Sequence, residues 1–348
     1  MASLTIQNIR DISVPIGTSW LLSQCMEAKG KQELWIRQKP AILKALREQA
    51  MIQSVESSNR IEGVTIAPAR LRPVILGNSR PRDRSEEEIA GYRKALNRIF
   101  LQKRPATIDA NLSRRLHQLA MGGSSGDAGQ WKTKNNEIVE ILTNGERRVR
   151  FQPTSAKETP RAMNQLSINY LEVSSETTIP ILLTIATFVF DFLCIHPFRD
   201  GNGRVSRLLT TLLLHQNGFI VGRFVSLEKL VEETKEDYYR ILHECSQGWH
   251  EGKNDILPWW NYFLSILRQA YGDFAQKVET TSPQPAKTQL VLESIEHQLG
   301  EFSLAEIKAD VPTASGQLIK KVFGELKKEG RLRVVGRGRG AVWKKTGK

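Results

Sequence analysis

Between residues 196 and 207 the chain reads His196-Pro-Phe-Arg-Asp-Gly-Asn-Gly-Arg-Val-Ser-Arg207, a run that suits phosphate chemistry for several separate reasons. His196 is its one titratable side chain with an ordinary pKa near neutrality, so it fits removal of a hydroxyl proton during attack on phosphorus. Gly201 and Gly203 let a backbone approach an oxyanion closely, and a helix starting here offers unpaired N–H groups at its positive end. Asn202 adds a side-chain donor. Arg204 and Arg207 lie three apart, on neighbouring positions of one helix face, where guanidinium forks clamp phosphoryl oxygens. Asp200 is a hard oxygen ligand of the kind that holds Mg²⁺ together with substrate phosphates. Phe198 is expected to point inward as an anchor.

This run resembles the Fic family signature, HxFx(D/E)GNGRxxR, at every specified position. The resemblance implies a protein adenylyltransferase that moves AMP from Mg-ATP to a Ser, Thr or Tyr hydroxyl of a target protein. It makes His196 the base and Asp200 the metal holder. Gly201, Asn202 and Gly203 become the anion hole, and Arg204 and Arg207 the phosphate ligands. The related Doc-type kinases carry Lys where Gly203 stands, so Gly203 favours nucleotidyl transfer over phosphorylation. ATP as substrate and Mg²⁺ as cofactor follow from the same resemblance.

A second segment, Ser58-Asn-Arg-Ile-Glu62-Gly63, is similar to the family's inhibitory motif, (S/T)xxxE(G/N), in its N-terminal position. Glu62 stands in the last turn of an expected helix, facing the negative dipole end, where a carboxylate wants a cation. The resemblance names Arg207 as that cation, which withdraws it from the γ-phosphate. Tyr238 and Tyr239 resemble a tyrosine pair that neighbours the adenine in related proteins. Those relatives continue with Asn where this chain has Ser246, and plain packing remains the other reading of the two tyrosines. Gly122-Gly-Ser124-Ser-Gly126 fits the GxSxG pattern, but a helix precedes it and a polar loop follows, which is the wrong setting for a nucleophile elbow. The remaining histidines show no metal-ligand spacing, so surface or core roles are expected for them.

The elements that must position these residues are mainly helical. Apolar spacing predicts a helix over 33–62 with Gly63 as its C-cap glycine, then helices over 85–101, 109–121, 157–173, 180–194, 204–217, 227–245 and 255–271. The exception is 137–151, where EIVEIL and RRVRF flank Asn144-Gly145, a strong hairpin signal. In the family such a flap docks the target by strand addition, while a purely structural hairpin is the alternative. The stretch 280–287, TTSPQPAK, has linker composition. Beyond it, helix, short helix, turn, helix and two strands around a GRGRG tip look like a winged helix-turn-helix. The expected organisation is therefore an N-terminal helical region over 1–84 carrying the inhibitory helix, a Fic-type core with its hairpin flap over 85–279, and a winged-helix domain over 288–348.

The formal charge is +13 over 348 residues, and from Gly316 to Lys348 eleven Lys and Arg face two Glu. The excess is thus concentrated at the C-terminal end and points to a polyanion or acidic partner. Lys320, Lys321, Lys327 and Lys328 decorate the third helix there, with Arg337 and Arg339 on the wing. DNA binding is one use of such a module; dimerisation or target docking is the other. A DNA-binding regulator with a nucleotide-sensing Fic core, and an enzyme that removes AMP with Glu62 positioning water, are the rival functions. Three cysteines, Cys25, Cys194 and Cys245, form no CxxC pair and suit a reducing compartment. The N-terminus lacks the charged and apolar regions of a signal peptide, and the apolar run Ile179 to Ile195 holds Asp191 and is too short for a membrane span. A cytoplasmic protein is expected, with ATP and a target protein as partners, a second copy of the chain as an open alternative, and no membrane.

Overall fold

A computed structural model describes residues 3–38, 40–102, 104–122, 126–141, 147–280, 287–298, 300–336 and 342–346. The chain folds into two compact units, Met1–Gln276 and Lys277–Lys348. The first unit opens with α1 (Ile6–Arg10), α2 (Ile16–Gln38), α3 (Pro40–Ile61), α4 (Pro68–Leu76), α5 (Arg84–Leu101) and α6 (Ala110–Ala120). A two-stranded antiparallel hairpin follows, β1 (Ile138–Ile141) and β2 (Arg147–Phe151), in register Val139 to Val149. Then come α7 (Thr159–Ser175), α8 (Ile181–Ile195), α9 (Asn202–Gln216), α10 (Leu227–Glu233), α11 (Lys235–Ser246) and α12 (Leu257–Thr280).

The centre of this unit is α8, in which every residue from Leu182 to Ile195 is buried. A helix apolar all round has nowhere to sit but inside other helices. Its neighbours α7 and α9 pack along it. The one carboxylate on α8, Asp191, is fully buried and satisfied: it accepts the backbone N–H groups of Ser3 and Leu4 and the indole N–H of Trp249. Those bonds tie the N-terminal segment and the connection after α11 to the core.

Local rules account for most boundaries. Asp83 and Asp109 cap α5 and α6 by accepting the N–H groups of Glu86 and Leu112. The helix expected over 33–62 is described in two stretches, the end of α2 up to Gln38 and α3 from Pro40, with Lys39 between them outside the described residues. The helix expected over 227–245 is two helices. Thr234 leaves the helical region, and its hydroxyl donates back to the Leu230 carbonyl. Helices α1, α2 and α4 go beyond the elements that apolar spacing predicts. In α2, Ile16, Trp20 and Leu34 are exposed, so its apolar residues mark no single buried stripe.

In the second unit α13 (Lys287–His297), β3 (Glu301–Phe302), α14 (Leu304–Asp310), α15 (Gly316–Lys328), β4 (Leu332–Val335) and β5 (Val342–Lys345) follow in order. The three strands pair in the order β3-β5-β4. Val291, Phe302, Ile307, Ile319, Phe323 and Leu332 form its own core, and Ser303 with Glu306 makes a capping box at the start of α14. Most of the expected linker, the Asn144-Gly145 turn, the middle of the GxSxG stretch and the wing arginines Arg337 and Arg339 lie outside the described residues.

Candidate functional site

The site is assembled where α8 ends and α9 begins. His196 follows α8 with φ 51 and ψ 61, the only non-glycine residue with positive φ among those described. Its backbone N–H donates to the Phe192 carbonyl at 2.9 Å, and its Nδ1 lies 3.3 Å from the Leu193 carbonyl. A carbonyl only accepts, so Nδ1 carries the proton and Nε2 keeps a free lone pair. Burial, and then the nearby charge of Lys132, push the imidazole pKa down to about 4. His196 is therefore neutral near pH 7 and able to take a proton.

After it the chain makes a tight turn. Asn202 closes it, its Oδ1 accepting from the Phe198 N–H at 2.9 Å and its Nδ2 donating to the Phe198 carbonyl at 2.8 Å. That side chain is engaged in holding the turn. Gly201 has φ 78, and a Cβ there would collide with Met121 Sδ and crowd His117. Phe198 is fully buried, stacked on His117 with ring centroids 3.9 Å apart. His117 Nδ1 accepts the Gly129 N–H at 2.8 Å, so its Nε2 donates to the Asp200 carbonyl, 3.0 Å away.

The two arginines of the run part company. Arg204 is 1% exposed and pairs with Glu88 at 2.6 Å, and its Nε has no hydrogen-bond partner among the described residues. Arg207 is also buried. Its Nη2 donates to Glu62 Oε1 at 2.7 Å and to the Ser58 carbonyl at 2.9 Å, and its Nε to Ser58 Oγ at 2.9 Å. Burial works most strongly against that charge, but the Glu62 carboxylate together with the neighbouring Tyr92 and Tyr238 more than offsets it, leaving the guanidinium pKa above its ordinary value. Arg207 Nη1 is buried without a partner among the described residues. Glu62 stands just past α3, and Gly63, with φ 79, turns the chain away. A Cβ on Gly203 would strike Glu62 Oε1, so the bare backbone at 203 is what admits the carboxylate.

Of these groups, Glu62, His196, Gly203 and Arg207 line one cleft together with Tyr238 and Tyr239. Tyr238 is buried and Tyr239 is 37% exposed. Ser246 lies on the same wall, as do Arg150 and Phe151 of the hairpin and His243 of α11, none of which three carries a motif signal. Glu88, His117 and Lys132 also carry no motif signal, because their contacts to the turn are brought in only by the fold.

For a metal ion, Asp200 offers a half-exposed carboxylate, 3.6 Å from Arg84 and 3.8 Å from Arg204. No group of three or more His, Cys, Asp or Glu side chains converges on one point among the described residues. One accessible hard oxygen beside an anion turn suits a magnesium ion that draws its remaining ligands from phosphates and water.

A mainly helical core with a buried central helix, a histidine at its end and a glycine turn opening the next helix is a Fic-type fold. Residues 107–214 match the Fic/DOC family. It is similar to a protein adenylyltransferase Fic of Nematostella vectensis, 25% identical over 59% of this chain and 46% of that one. A second relative, protein adenylyltransferase fic-1 of Caenorhabditis elegans, is 26% identical over 64% of this chain and 41% of its own. The chain thus spans under half the length of the curated relatives it matches. Among solved structures, a Fic family protein from Desulfovibrio desulfuricans G20 superposes with a TM-score of 0.62 at 20% identity, covering 97% of this chain and 98% of that one. No helix among the described residues is long and apolar enough to cross a membrane.

Proposed function

We propose that the protein is a protein adenylyltransferase, transferring AMP from Mg-ATP to a Ser, Thr or Tyr hydroxyl of a target protein, and that Glu62 restrains it. The observation that carries this reading is one cleft lined by a neutral His196, by Gly203 and by Arg207, with Glu62 bound to that arginine. In the reaction the target hydroxyl oxygen bonds to the α-phosphorus, the bond to the bridging oxygen breaks, and pyrophosphate leaves. His196 Nε2 takes the hydroxyl proton. The N–H groups opening α9 and Arg207, once released, orient the phosphates. Asp200 would hold the magnesium ion, which supplies neutralising charge for the leaving pyrophosphate. Tyr238, Tyr239 and His243 form the wall available to the adenine.

While Glu62 holds Arg207, the γ-phosphate meets a carboxylate where it needs a guanidinium. Ser58 reinforces the hold through both its hydroxyl and its carbonyl, and Gly63 supplies the turn behind Glu62. The hairpin serves as the docking edge for the target. The functional division is an inhibitory helical region up to residue 84, a catalytic core up to 279 and a separate C-terminal module. Incubation of the Glu62→Gly variant and a cell lysate with α-labelled or γ-labelled ATP tests the reading. Label from the α position alone is expected; transfer of the γ label would make it a kinase, and no transfer would remove the assignment.

The C-terminal unit supports a second role. Lys320, Lys321, Lys327 and Lys328 are exposed on α15 over a complete core of its own, the placement of a winged helix that contacts DNA phosphates. With about four phosphate contacts, affinity for a short duplex should drop about 10²-fold between 50 and 200 mM salt. No binding at low salt would leave docking or dimerisation as its use.

A further inference from the structure

His196 holds a left-handed backbone conformation that a residue with a side chain rarely adopts. The neighbouring structure must impose it. The last four carbonyls of a helix have no partner inside it, so their partners show what does the imposing. Here the Phe192 and Leu193 carbonyls are taken by His196 itself. The Cys194 carbonyl accepts the Thr154 N–H at 3.4 Å, and the Ile195 carbonyl accepts the Lys132 ammonium at 3.1 Å. On the other side of His196, the Pro197 carbonyl accepts the Lys132 N–H at 2.9 Å and the Phe198 carbonyl accepts Asn136 Nδ2 at 3.2 Å. The two carbonyls flanking the imidazole are thus both held by one residue, Lys132.

The donors share a location. Lys132 and Asn136 lie just before β1, and Thr154 lies just after β2, so they belong to the two stems of the hairpin. The stems are joined to each other by the Ala156 N–H donating to Asn135 Oδ1 at 2.8 Å, and Lys132 is joined to its own stem through Asn136 Oδ1 at 2.8 Å. Lys132 is 5% exposed, and a buried ammonium is unfavourable unless its hydrogen bonds and the local field compensate. The negative end of α8 provides that field. Burial still lowers the Lys132 pKa to about 8, so it is charged at neutral pH.

We infer that Lys132 is a positioning residue for His196, and that through it the stems of the hairpin set the aim of the imidazole, so that a segment docked on the hairpin bears directly on the base. The inference rests on the reading of His196 as the general base. The charged groups facing His196 are Lys132 from the stem, Glu62 from the end of α3 and Asp200 from the turn. The two carboxylates favour the protonated ring, and Lys132 opposes it. Lys132 therefore has two effects: its hydrogen bonds fix the direction of Nε2, and its charge keeps Nε2 unprotonated.

The two effects separate in variants made on the Glu62→Gly background. Lys132→Met keeps length and removes charge and donors; Lys132→Arg keeps charge and donors; Asn136→Ala removes a neutral donor. Measured with α-labelled ATP across pH, Lys132→Met should lower kcat about 10²-fold, the loss expected for a misplaced catalytic group, with KM for ATP little changed. The NMR titration midpoint of His196 should rise, and the acid limb of kcat with it. Lys132→Arg should restore kcat to within about 10-fold and return the midpoint. Asn136→Ala should lower kcat less and leave the midpoint where it was, and it carries the test alone if Lys132→Met does not fold. A folded Lys132→Met protein with kcat within twofold of its parent overturns the inference, as does a loss of kcat with the His196 midpoint unmoved and no recovery in Lys132→Arg. Unchanged kcat in Asn136→Ala also counts against it. Transfer that survives His196→Ala would remove the base assignment instead, which distinguishes the two failures.

Discussion

The turn around His196 and the segment around Glu62 meet in one cleft, yet they are fastened in different ways. The turn is held by main-chain carbonyls and N–H groups, by the Asn202 side chain folded back on Phe198, and by His117 stacked beneath it. The Glu62 segment is held chiefly by side chains: Glu62 and Ser58 on Arg207, Arg60 on Glu232, and Lys235 Nζ on the Ile61 carbonyl at 3.1 Å. Main-chain fastenings buried on all sides open only when the surrounding core opens, whereas side-chain pairs at a helix end can be exchanged one at a time. On the proposed function, the turn is permanent machinery and the segment a removable stopper.

The comparison breaks most severely at His196. His196→Ala should lower AMP transfer by about 10²–10⁴-fold, the usual contribution of a general base, while ATP affinity by calorimetry changes only a few fold. A variant that retains full transfer would mean the turn positions something other than a base. Next is the stopper itself. Glu62→Gly should raise transfer of the α label by about 10- to 100-fold, the range of a coupling worth 1–3 kcal/mol, and Arg207→Ala on top of it should cancel the gain. The same Glu62→Gly change leaves a buried guanidinium without its carboxylate, so its melting temperature without nucleotide should fall and be recovered by ATP. Equal activity of parent and variant would show that the segment is no stopper.

Smaller effects sharpen the contrast. Lys235→Met removes a donor from the end of α3, and Arg60→Ala an exposed pair of little strength; each should activate by about two- to fivefold, in keeping with interactions worth up to ~1 kcal/mol. The smallest effect is on stability against pH. The pKa of His196 in the folded chain, about 4, is below the ordinary imidazole value, so the unfolded chain takes up a proton that the native turn refuses. The stability this provides is complete above about pH 6.5 and is lost as pH falls towards 4. The fall in melting temperature from pH 7 to pH 5 should therefore be shallower in His196→Ala than in the parent.

What could be read from the sequence follows the same division. The residues of the turn announce themselves because their work is local: a glycine that must have positive φ, a histidine beside it, arginines one helical turn apart. The buried helix α8 and the hairpin were legible from apolar runs and turn residues for the same reason. What stayed hidden comes from distant contacts. Arg204 and Arg207 read alike in sequence, but Glu88 reaches across from α5 to bury the first, and Ser58 and Glu62 hold the second. Lys132 is a lone lysine after a tryptophan until the fold brings it to the end of α8.

The bare backbone at Gly203 also constrains the order in which this sequence can change. A methyl group there would strike the Glu62 carboxylate where it now lies, so a side chain at 203 requires Glu62 Oε1 to shift from its place beside Arg207, or position 62 to have already lost its acid. The two sites are therefore coupled: substitution first at 203 disturbs the Glu62–Arg207 pair, whereas substitution first at 62 opens the space without touching the turn. A lineage that replaced this glycine by a larger residue would have had to rearrange the Glu62–Arg207 pair on the way.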